Sequence, residues 1–321
     1  MNILVTGGAG YIGAHLIYEL EQAGHEVWGI DDLSNSHLSS LPKTQIRVGD
    51  FAEEQSVRKL IRTNDITAVF HLAAKISVAE SYLRPEVYEL TNYKKTQKLV
   101  EICGEEGIEH FVFSSTAAVY ADGEIPYSEK TKIRPKSPYA KSKAQAEKFI
   151  GLKASEYGMN YLIFRSFNIA GAHKNASLGQ NSPNSTHLIK LACEAALNKR
   201  NYLPLYGENH PTPDGTCVRD YLHIEDLVQA YLLGLDYLAS SGRSEIFNCG
   251  SGKGLSVKQV IDFFHNDLRR PFEVVKKPAR RGDIPQLVAS NQKVIEILGW
   301  RPIQSDLHSI TNSALQWEAQ L

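Results

Sequence analysis

The chain has 321 residues with 35 basic and 36 acidic side chains, so its formal net charge is −1. This balance argues against binding nucleic acid through phosphate contacts, which requires a basic surplus. Hydrophobic residues make up 42% of the sequence, and no apolar run approaches the ~18 residues that a membrane span needs. We therefore expect a globular protein, one large unit or two packed domains, with neither nucleic acid nor a membrane as partner.

The first half of the sequence alternates short apolar runs with amphipathic stretches. The apolar runs, which predict strands, are residues 3–5, 27–30, 46–48, 68–72 and 111–113. The amphipathic patterns, which predict helices, are residues 12–23, 55–62, 86–106 and 137–156. Alternating strands and helices indicate an α/β fold with a doubly wound parallel sheet that is covered on both faces.

Beyond about residue 168 the alternation weakens. Helical patterns remain at 226–238 and 257–268, and a strand-like run lies between them. We predict that residues 1–168 form the first domain and that residues 169–321 form a smaller α/β lobe that completes a cleft. The chain is expected to cross back to the first domain around residues 217–252.

A glycine-rich segment, GGAGYIG, joins the first predicted strand to the first helix. Gly7 permits a tight turn, Gly10 lets the backbone approach a diphosphate, and Gly13 lets the helix pack on the strand. Three glycines at this spacing can also serve as an ordinary turn. At a strand–helix junction they predict a dinucleotide site in a Rossmann-type sheet, with Tyr11 and Ile12 among its residues.

Two acids follow the second predicted strand. A carboxylate at Asp31 can accept hydrogen bonds from ribose hydroxyls and repels a 2′-phosphate. Asp32 adds to the repulsion, although a solvated loop acid is the simpler interpretation of Asp32. Together the acids favour NAD over NADP.

Ser137 and Pro138 mark a helix start in the segment SPYAKSK. Tyr139 and Lys143 then share one face of that helix. An ammonium near a phenol lowers the pKa of the phenol, so we predict Tyr139 as the general base for a sugar hydroxyl. The spacing has little weight by itself, since chance gives roughly 1.6 such pairs in a chain of this composition.

A run of hydroxyl residues supports this interpretation. Ser114, Ser115 and Thr116 follow a predicted strand, at the carboxyl edge of the sheet where α/β folds hold their ligands. We predict that the Thr116 hydroxyl orders the reacting group and the tyrosine oxygen. Ser114 and Ser115 are interpreted as turn or backbone-bonding residues.

With these motifs the sequence resembles the extended short-chain dehydrogenase/reductase family over nearly its whole length. The broad family motifs are GGAGYIG, SSTAAVY at 114–120 and SPYAKSK. Three narrower segments resemble the UDP-sugar 4-epimerases within that family, namely FNIAGAH at 167–173, DGTCVRDYLH at 214–223 and RRGD at 280–283. The resemblance implies inversion at C4 of UDP-glucose or UDP-galactose through a transient 4-keto sugar, with NAD as a retained cofactor.

The resemblance also implies roles for individual residues around the cofactor. Lys143 becomes the electrostatic partner of Tyr139 and a ribose ligand, and Thr116 becomes the hydroxyl helper. Additional cofactor-binding positions are Asp50 near the adenine, Phe51 beside it, and Asn92 behind the nicotinamide. For Asn92 a purely structural amide is an equal alternative.

For the sugar nucleotide, the resemblance implies six binding residues: Asn168, Tyr206, Arg219, Arg280, Asp283 and Leu287. Two arginines can clamp a diphosphate, and a carboxylate can accept from a ribose hydroxyl. The aromatic ring at Tyr206 is expected against uracil. For Arg219 the alternative is a salt bridge with Asp220.

Three positions depart from the family pattern. Ile76 stands where many of these epimerases have a lysine, although Lys75 is adjacent, and Ser166 replaces a tyrosine. Leu287 replaces a bulky tyrosine that excludes N-acetyl sugars in some members. We hypothesise that the pocket also accepts UDP-GlcNAc.

Other functions remain as alternatives. A nucleotide-sugar 4,6-dehydratase needs an acid/base pair where this chain has Ala117 and Ala118. A keto-sugar reductase needs an exchangeable cofactor, commonly NADPH, which Asp31 disfavours. A non-catalytic NAD-sensing protein would leave Tyr139 and Lys143 unexplained.

The cysteines and two helices bear on location and assembly. The cysteines are too far apart in sequence to form a metal or redox motif, so we predict no metal site and a reduced, cytoplasmic location. The resemblance implies that helices 86–106 and 137–156 pair two copies into a homodimer, although the same apolar faces could instead cover the internal sheet.

Overall fold

A computed structural model of the protein describes residues 1–36, 45–120, 123–182 and 185–321. In chain order the strands are β1 (Asn2–Thr6), β2 (Glu26–Asp31), β3 (Gln45–Val48), β4 (Ala68–His71), β5 (His110–Thr116), β6 (Asn160–Ser166), β7 (Asn168–Ala170), β8 (Tyr202–Tyr206), β9 (Val218–His223), β10 (Glu245–Cys249), β11 (Gly254–Ser256), β12 (Glu273–Lys277) and β13 (Gln286–Leu287).

The helices are α1 (Tyr11–Gln22), α2 (Glu54–Thr63), α3 (Val78–Leu83), α4 (Pro85–Tyr88), α5 (Lys95–Glu105), α6 (Pro138–Tyr157), α7 (Leu188–Ala196), α8 (Ile224–Ser241), α9 (Val257–Asp262), α10 (Gln292–Leu298) and α11 (Leu307–Glu318). Wider π-helical turns continue α4 at Glu89–Lys94 and α9 at Phe263–Asp267. In the ranges that the structure describes, none of these helices has an apolar stretch of the length that crosses a bilayer.

The main sheet confirms the predicted α/β fold with a Rossmann-type, doubly wound topology. Its strands run parallel in the order β10–β6–β5–β4–β1–β2–β3. The side chains of neighbouring strand residues point to opposite faces. In β1, accordingly, Ile3 and Val5 pack with α1 and α8, whereas Leu4 packs with the cluster that includes residues of α2, α5 and α6. Both faces are therefore buried, as expected of a parallel sheet.

The second half of the chain contributes to two regions. Strands β7, β9, β11 and β13 form one small sheet, β8 pairs with β12, and α7, α9 and α11 pack around them. The chain then returns to the main sheet, because α8 packs against α1 and β10 pairs with β6. Helix α10 returns as well and packs on β10 and α8. This crossing places the carboxyl edge of the main sheet opposite the small sheets.

Candidate active site

A cavity of about 600 Å³ lies at the carboxyl edge of the main sheet and is lined by residues from both halves of the chain. This volume lies within the range typical of small-molecule sites. The sequence-predicted site residues that line it are Gly7, Gly10, Tyr11, Ile12, Gly13, Asp31, Phe51, Thr116, Tyr139, Lys143, Asn168, Tyr206, Arg219, Arg280, Asp283 and Leu287. The structure thus brings residues that are more than 200 positions apart in sequence to one cleft.

The glycine-rich segment forms a tightly packed loop at one end of this cavity. Gly7 has φ of +70°, and a Cβ there would lie 2.7 Å from the Ala73 nitrogen. A Cβ at Gly13 would lie only 2.1 Å from the Gly7 carbonyl oxygen. Only glycine fits these positions, and helix α1 begins directly after Gly10 with its first amides at the cavity. This backbone cradle at a helix N-terminus fits the diphosphate of a dinucleotide.

Asp31 ends β2 beside that loop. Its Oδ2 accepts a hydrogen bond from the Ala9 amide at 3.0 Å, and its Oδ1 accepts from the Leu33 amide at 2.8 Å and from Ser36 at 2.9 Å. The carboxylate therefore connects the glycine loop to the segment after β2. It also lines the cavity, which is the position expected of a ribose acceptor.

Two predicted cofactor residues do not line the cavity. The Asp50 carboxylate accepts from the Ala52 amide and pairs with Lys95. Asn92 lies in the π-helical turn and bonds both the amide and the carbonyl of Lys75, at 2.8 Å each. Asn92 therefore holds the backbone of Lys75, which is one of the residues that line the cavity.

Tyr139 and Lys143 lie on the first two turns of α6, as the sequence predicts. Ser137 caps this helix by accepting from the Ala140 amide at 3.1 Å. Tyr139 is 9% exposed and Lys143 is 3% exposed. The Lys143 Nζ donates to the Ser114 carbonyl at 2.8 Å. Both side chains are thus held at the end of β5.

The electrostatics of this pair differ from the sequence-based expectation. Burial raises the pKa of Tyr139, and a hydrogen bond with Thr116 lowers it by a smaller amount. The Lys143 ammonium has other partners here, because it donates to the Ser114 carbonyl and lies over the Phe113 ring. Burial also lowers the pKa of Lys143 to about 7. Burial therefore disfavours the protonated form of Lys143.

We expect Lys143→Met to make stability less dependent on pH. Between the folded pKa of about 7 and the ordinary value of 10.5, the lysine is protonated in the unfolded chain and neutral in the folded one. Unfolding then takes up a proton, so stability rises with pH across this window. The gain of the variant in free energy of unfolding should be largest below pH 7 and decrease as pH rises. Urea unfolding of both proteins between about pH 6 and 9.5 measures it, and a pH-independent difference would contradict the assignment.

Charged residues gather at the other end of the cavity. Arg280 donates two hydrogen bonds of 3.2 Å to Asp283 and lies over the Tyr206 ring, 4.9 Å from its centre. Arg219 donates to the carbonyl of Ile284 at 2.7 Å, and its guanidinium lies 4.0 Å from Asp283. Two cations thus flank one carboxylate, and this arrangement can bind an anion such as a diphosphate.

The alternative partner of Arg219 is engaged elsewhere. Asp220 is fully buried and accepts hydrogen bonds from the amides of Ser251, Gly252 and Ala289. Neighbouring strand residues face opposite sides of the sheet, so the side chain of Asp220 points away from that of Arg219. The guanidinium therefore stays available to the cavity.

Several segments of the cavity wall were not predicted from the sequence, and the start of α7 is one of them. Residues 186–191, at the start of α7, line the cavity together with the buried Tyr221. His187 caps α7 without a side-chain hydrogen bond to the helix amides. A helix start facing a cleft is a favourable place for an anion, but a helix prediction does not indicate which end faces a cleft.

The structure also places three potential metal ligands together, where the cysteine spacing had predicted no site. Ligand atoms of His210, Cys217 and Asp283 lie within 4.8 Å of one another. However, Arg280 already holds the Asp283 carboxylate, and Arg219 lies nearby. We assign no metal ion here, because both guanidinium groups compete for the same carboxylate.

The sequence relatives agree with this geometry. A model of the NAD dependent epimerase/dehydratase family matches residues 3–250. A UDP-glucose 4-epimerase of Azospirillum brasilense is 40% identical over 322 residues, which cover 100% of this chain and 92% of that protein. The predicted family resemblance is thereby confirmed.

Solved structures extend the likeness to the whole fold. The UDP-glucose-4-epimerase of Stenotrophomonas maltophila, with bound NAD and formylated UDP-arabinopyranose, is 31% identical with a TM-score of 0.94, and the match covers 100% of this chain and 98% of that one. The UDP-Glc/GlcNAc 4-epimerase of Campylobacter jejuni is 36% identical with a TM-score of 0.83, covering 100% and 99%. The chain therefore belongs to the NAD dependent epimerase/dehydratase family.

Proposed function

We propose that this protein is an NAD-dependent 4-epimerase that interconverts UDP-glucose and UDP-galactose. The observation that supports it most is the gathering of Thr116, Tyr139 and Lys143 in one cavity between a glycine loop and the Arg219–Arg280–Asp283 cluster. The cavity can thus receive a dinucleotide at one end and a sugar nucleotide at the other.

The cofactor residues are proposed from the geometry of the first half. The glycine loop holds the diphosphate of NAD, Asp31 accepts from its adenosine ribose, Phe51 lies beside the adenine, and Asn92 supports the wall near the nicotinamide. Bound NAD supplies a reversible acceptor for the hydride of the sugar C4. Asp50 is the weakest of these proposals, because its carboxylate pairs with Lys95.

The proton is handled by α6 and the end of β5. The Tyr139 phenolate accepts the proton of the sugar 4-hydroxyl and later returns it. A hydrogen bond with Thr116 stabilises the phenolate, since it lowers the pKa of Tyr139. Lys143 is proposed to bind the nicotinamide ribose. Its charge can act on the Tyr139 oxygen only after its Nζ turns away from the Ser114 carbonyl, to which it donates here. A Thr116 hydroxyl at this point also orients the reacting group.

The nucleotide is proposed to be the anchor of the substrate. Arg219 and Arg280 bind the diphosphate, and Asn168 contributes a side-chain hydrogen bond beside it. Asp283 accepts a hydrogen bond from the uridine ribose, and Tyr206 stacks on uracil. Anchoring at the nucleotide leaves the hexose without a charged partner of its own. The 4-keto sugar can then turn and present its opposite face, which inverts C4 when hydride and proton return.

Incubation with UDP-galactose and no added reductant tests this proposal. We expect UDP-glucose as the product, because NAD is regenerated in every cycle. A 4-keto-6-deoxy product would indicate a dehydratase, and Ala117 and Ala118 leave that reaction without its acid/base pair. No product at all would favour a non-catalytic, NAD-sensing protein and would contradict the proposal.

We also propose that UDP-GlcNAc is a substrate. Leu287 lines the cavity beside Arg219 in the strand register and packs with Ala117, Phe167 and Ile284. A leucine there leaves more room for an N-acetyl group than a tyrosine, and the similar Campylobacter jejuni protein is named a UDP-Glc/GlcNAc 4-epimerase. Turnover of UDP-GlcNAc by the unsubstituted protein is the first requirement.

We expect Leu287→Tyr to reduce kcat/KM for UDP-GlcNAc relative to UDP-glucose by at least about tenfold, because the phenol fills the space of the N-acetyl group. Leu287→Met, which conserves volume, is the matched control and should keep the ratio. Kinetics on both sugars measure the ratio, and an unchanged ratio in the tyrosine variant would contradict the assignment.

Assembly into a homodimer is proposed through residues 86–106, which include the π-helical turn and α5, and through α6. Leu90 and Leu152 are 54% and 58% exposed, although both are large apolar residues on neighbouring elements that pack together. A second copy of the chain would cover them. Light scattering should give twice the mass of the chain, and Leu152→Glu should give the mass of one chain.

We also propose which part of the chain binds the cofactor and which part binds the sugar nucleotide. Residues 1–168 hold the cofactor, residues 169–321 hold the sugar nucleotide, and α8 and β10 return to the first domain.

We further propose a cytoplasmic location, since all four cysteines are buried and free, as expected in a reducing compartment.

A further inference from the structure

A buried hydrogen-bond network lies beside the proposed catalytic turn of α6. Tyr139, Lys143 and Glu147 follow at four-residue intervals and share a helix face. The Oε1 of Glu147 accepts from the Ser115 hydroxyl at 2.5 Å and from the Arg165 Nε at 3.1 Å. Its Oε2 accepts from the terminal nitrogen of Arg165 at 2.7 Å. The carboxylate is only 5% exposed, so it is held entirely by protein groups.

The Ser115–Glu147 bond joins the same two elements as the catalytic contacts. Ser114 accepts from Lys143, Ser115 donates to Glu147, and Thr116 contacts Tyr139. Three consecutive residues of β5 therefore each hold one residue of α6. Ser115 lines the cavity, whereas Glu147 is absent from its lining and lies one turn beyond Lys143.

The far side of the network is anchored as firmly. Arg165 lies opposite Ser115 in the β5–β6 register and donates to the Tyr120 hydroxyl at 2.7 Å. Tyr120 follows the short 3₁₀ turn after Thr116 and donates to Asn248 of β10 at 2.9 Å. The carboxylate that accepts from Ser115 is thus paired with Arg165 of β6, a strand that has a partner strand on each side.

We propose that Ser115 and Glu147 are positioning residues, whose bond sets how α6 sits on β5 and hence where the Tyr139 oxygen lies relative to Thr116 and the sugar hydroxyl. The proposal rests on the proposed epimerase function. A proton transfer requires heavy-atom distances of about 2.6–3.2 Å, so a small sliding of the helix is enough to impair it. Stability alone does not account for the network, because well-packed apolar residues often replace a buried ion pair without loss.

Ser115→Ala tests the proposal, with Tyr120→Phe as the matched control. Both changes delete one hydroxyl of the same network. Ser115→Ala cuts the tie to α6 but leaves Glu147 paired with Arg165, so the fold is retained. Tyr120→Phe cuts the network on its far side and leaves the tie intact. Tm, NAD content, and kcat and KM for UDP-galactose are measured for both variants.

We expect Ser115→Ala to lower kcat by about tenfold to a hundredfold with KM and NAD content within about twofold of the unsubstituted protein. Tyr120→Phe should lose at least as much in Tm but keep kcat within about threefold. Equal losses of kcat in both variants, or an unchanged kcat in Ser115→Ala, would overturn the proposal, because a purely structural network predicts effects that follow Tm.

Hydrogen exchange gives a readout that does not depend on turnover. The amides of residues 139–147 should exchange faster in Ser115→Ala than in Tyr120→Phe. If the unsubstituted protein does not epimerise UDP-galactose, the proposed function fails. The exchange comparison still shows whether the Ser115–Glu147 hydrogen bond holds α6 on β5. If the protein is active and exchange in that segment is unchanged, the positioning role alone is refuted.

Discussion

Tyr139→Phe is expected to lower kcat for UDP-galactose by about 10²- to 10⁴-fold, the range typical of losing a general acid/base. The variant lacks only the phenolic oxygen, which is the group that exchanges a proton with the 4-hydroxyl in the proposed reaction. The phenyl ring keeps the packing of Tyr139 against Tyr88, whose ring centre lies 6.3 Å away. Fold and cofactor binding should therefore be retained.

Tyr88→Phe is the matched control for this experiment. Tyr88 is a fully buried phenol next to Tyr139, but its hydroxyl donates to Glu80 and is absent from the cavity lining. We expect its kcat to stay within about threefold of the unsubstituted protein. Turnover is followed with UDP-galactose, and NAD is quantified after denaturation. Near-normal activity of Tyr139→Phe would refute the assignment of the base.

Gly13→Ala is expected to weaken NAD binding by about fivefold to 150-fold, because overpacking of this kind costs roughly 1–3 kcal/mol and 1.4 kcal/mol corresponds to tenfold. The added Cβ would lie 2.1 Å from the Gly7 oxygen and 2.9 Å from the Gly8 Cα. Both neighbours are backbone atoms of the loop, so the loop itself must move. Any movement displaces the amides that are proposed to face the diphosphate.

Gly151→Ala controls for the general effect of adding a methyl group in a helix. Gly151 lies within α6, and its Cβ would lie 3.3 Å from the Tyr161 hydroxyl oxygen, the far end of a side chain. Alanine is also the better helix former, so stability should hold or improve. NAD content of the purified proteins and titration with NAD measure the outcome. Equal NAD content in both variants would contradict the assigned cradle.

Local sequence signals determined the features that depend on neighbouring residues. The strand–glycine–helix junction at residues 2–22 follows from the spacing of Gly7, Gly10 and Gly13. Ser137 and Pro138 similarly predicted the start of α6 and so the shared face of Tyr139 and Lys143. The alternation of strands and helices in the first half was sufficient for the fold class, since each element carries its own periodicity. Family motifs such as DGTCVRDYLH then indicated the substrate half.

The tertiary structure alone decided the features that arise when distant segments meet. Strand β10 pairs with β6, although more than 80 residues separate them in sequence. Glu147 of α6 contacts Ser115 of β5 and Arg165 of β6. The lowered pKa of Lys143 and the pairing of Asp50 with Lys95 also depend on such meetings. Burial and long-range partners change the charge and the orientation of a side chain, but they produce no pattern in the sequence around it. Spacing along the chain therefore indicates which groups a site contains, and packing decides how those groups are held and charged.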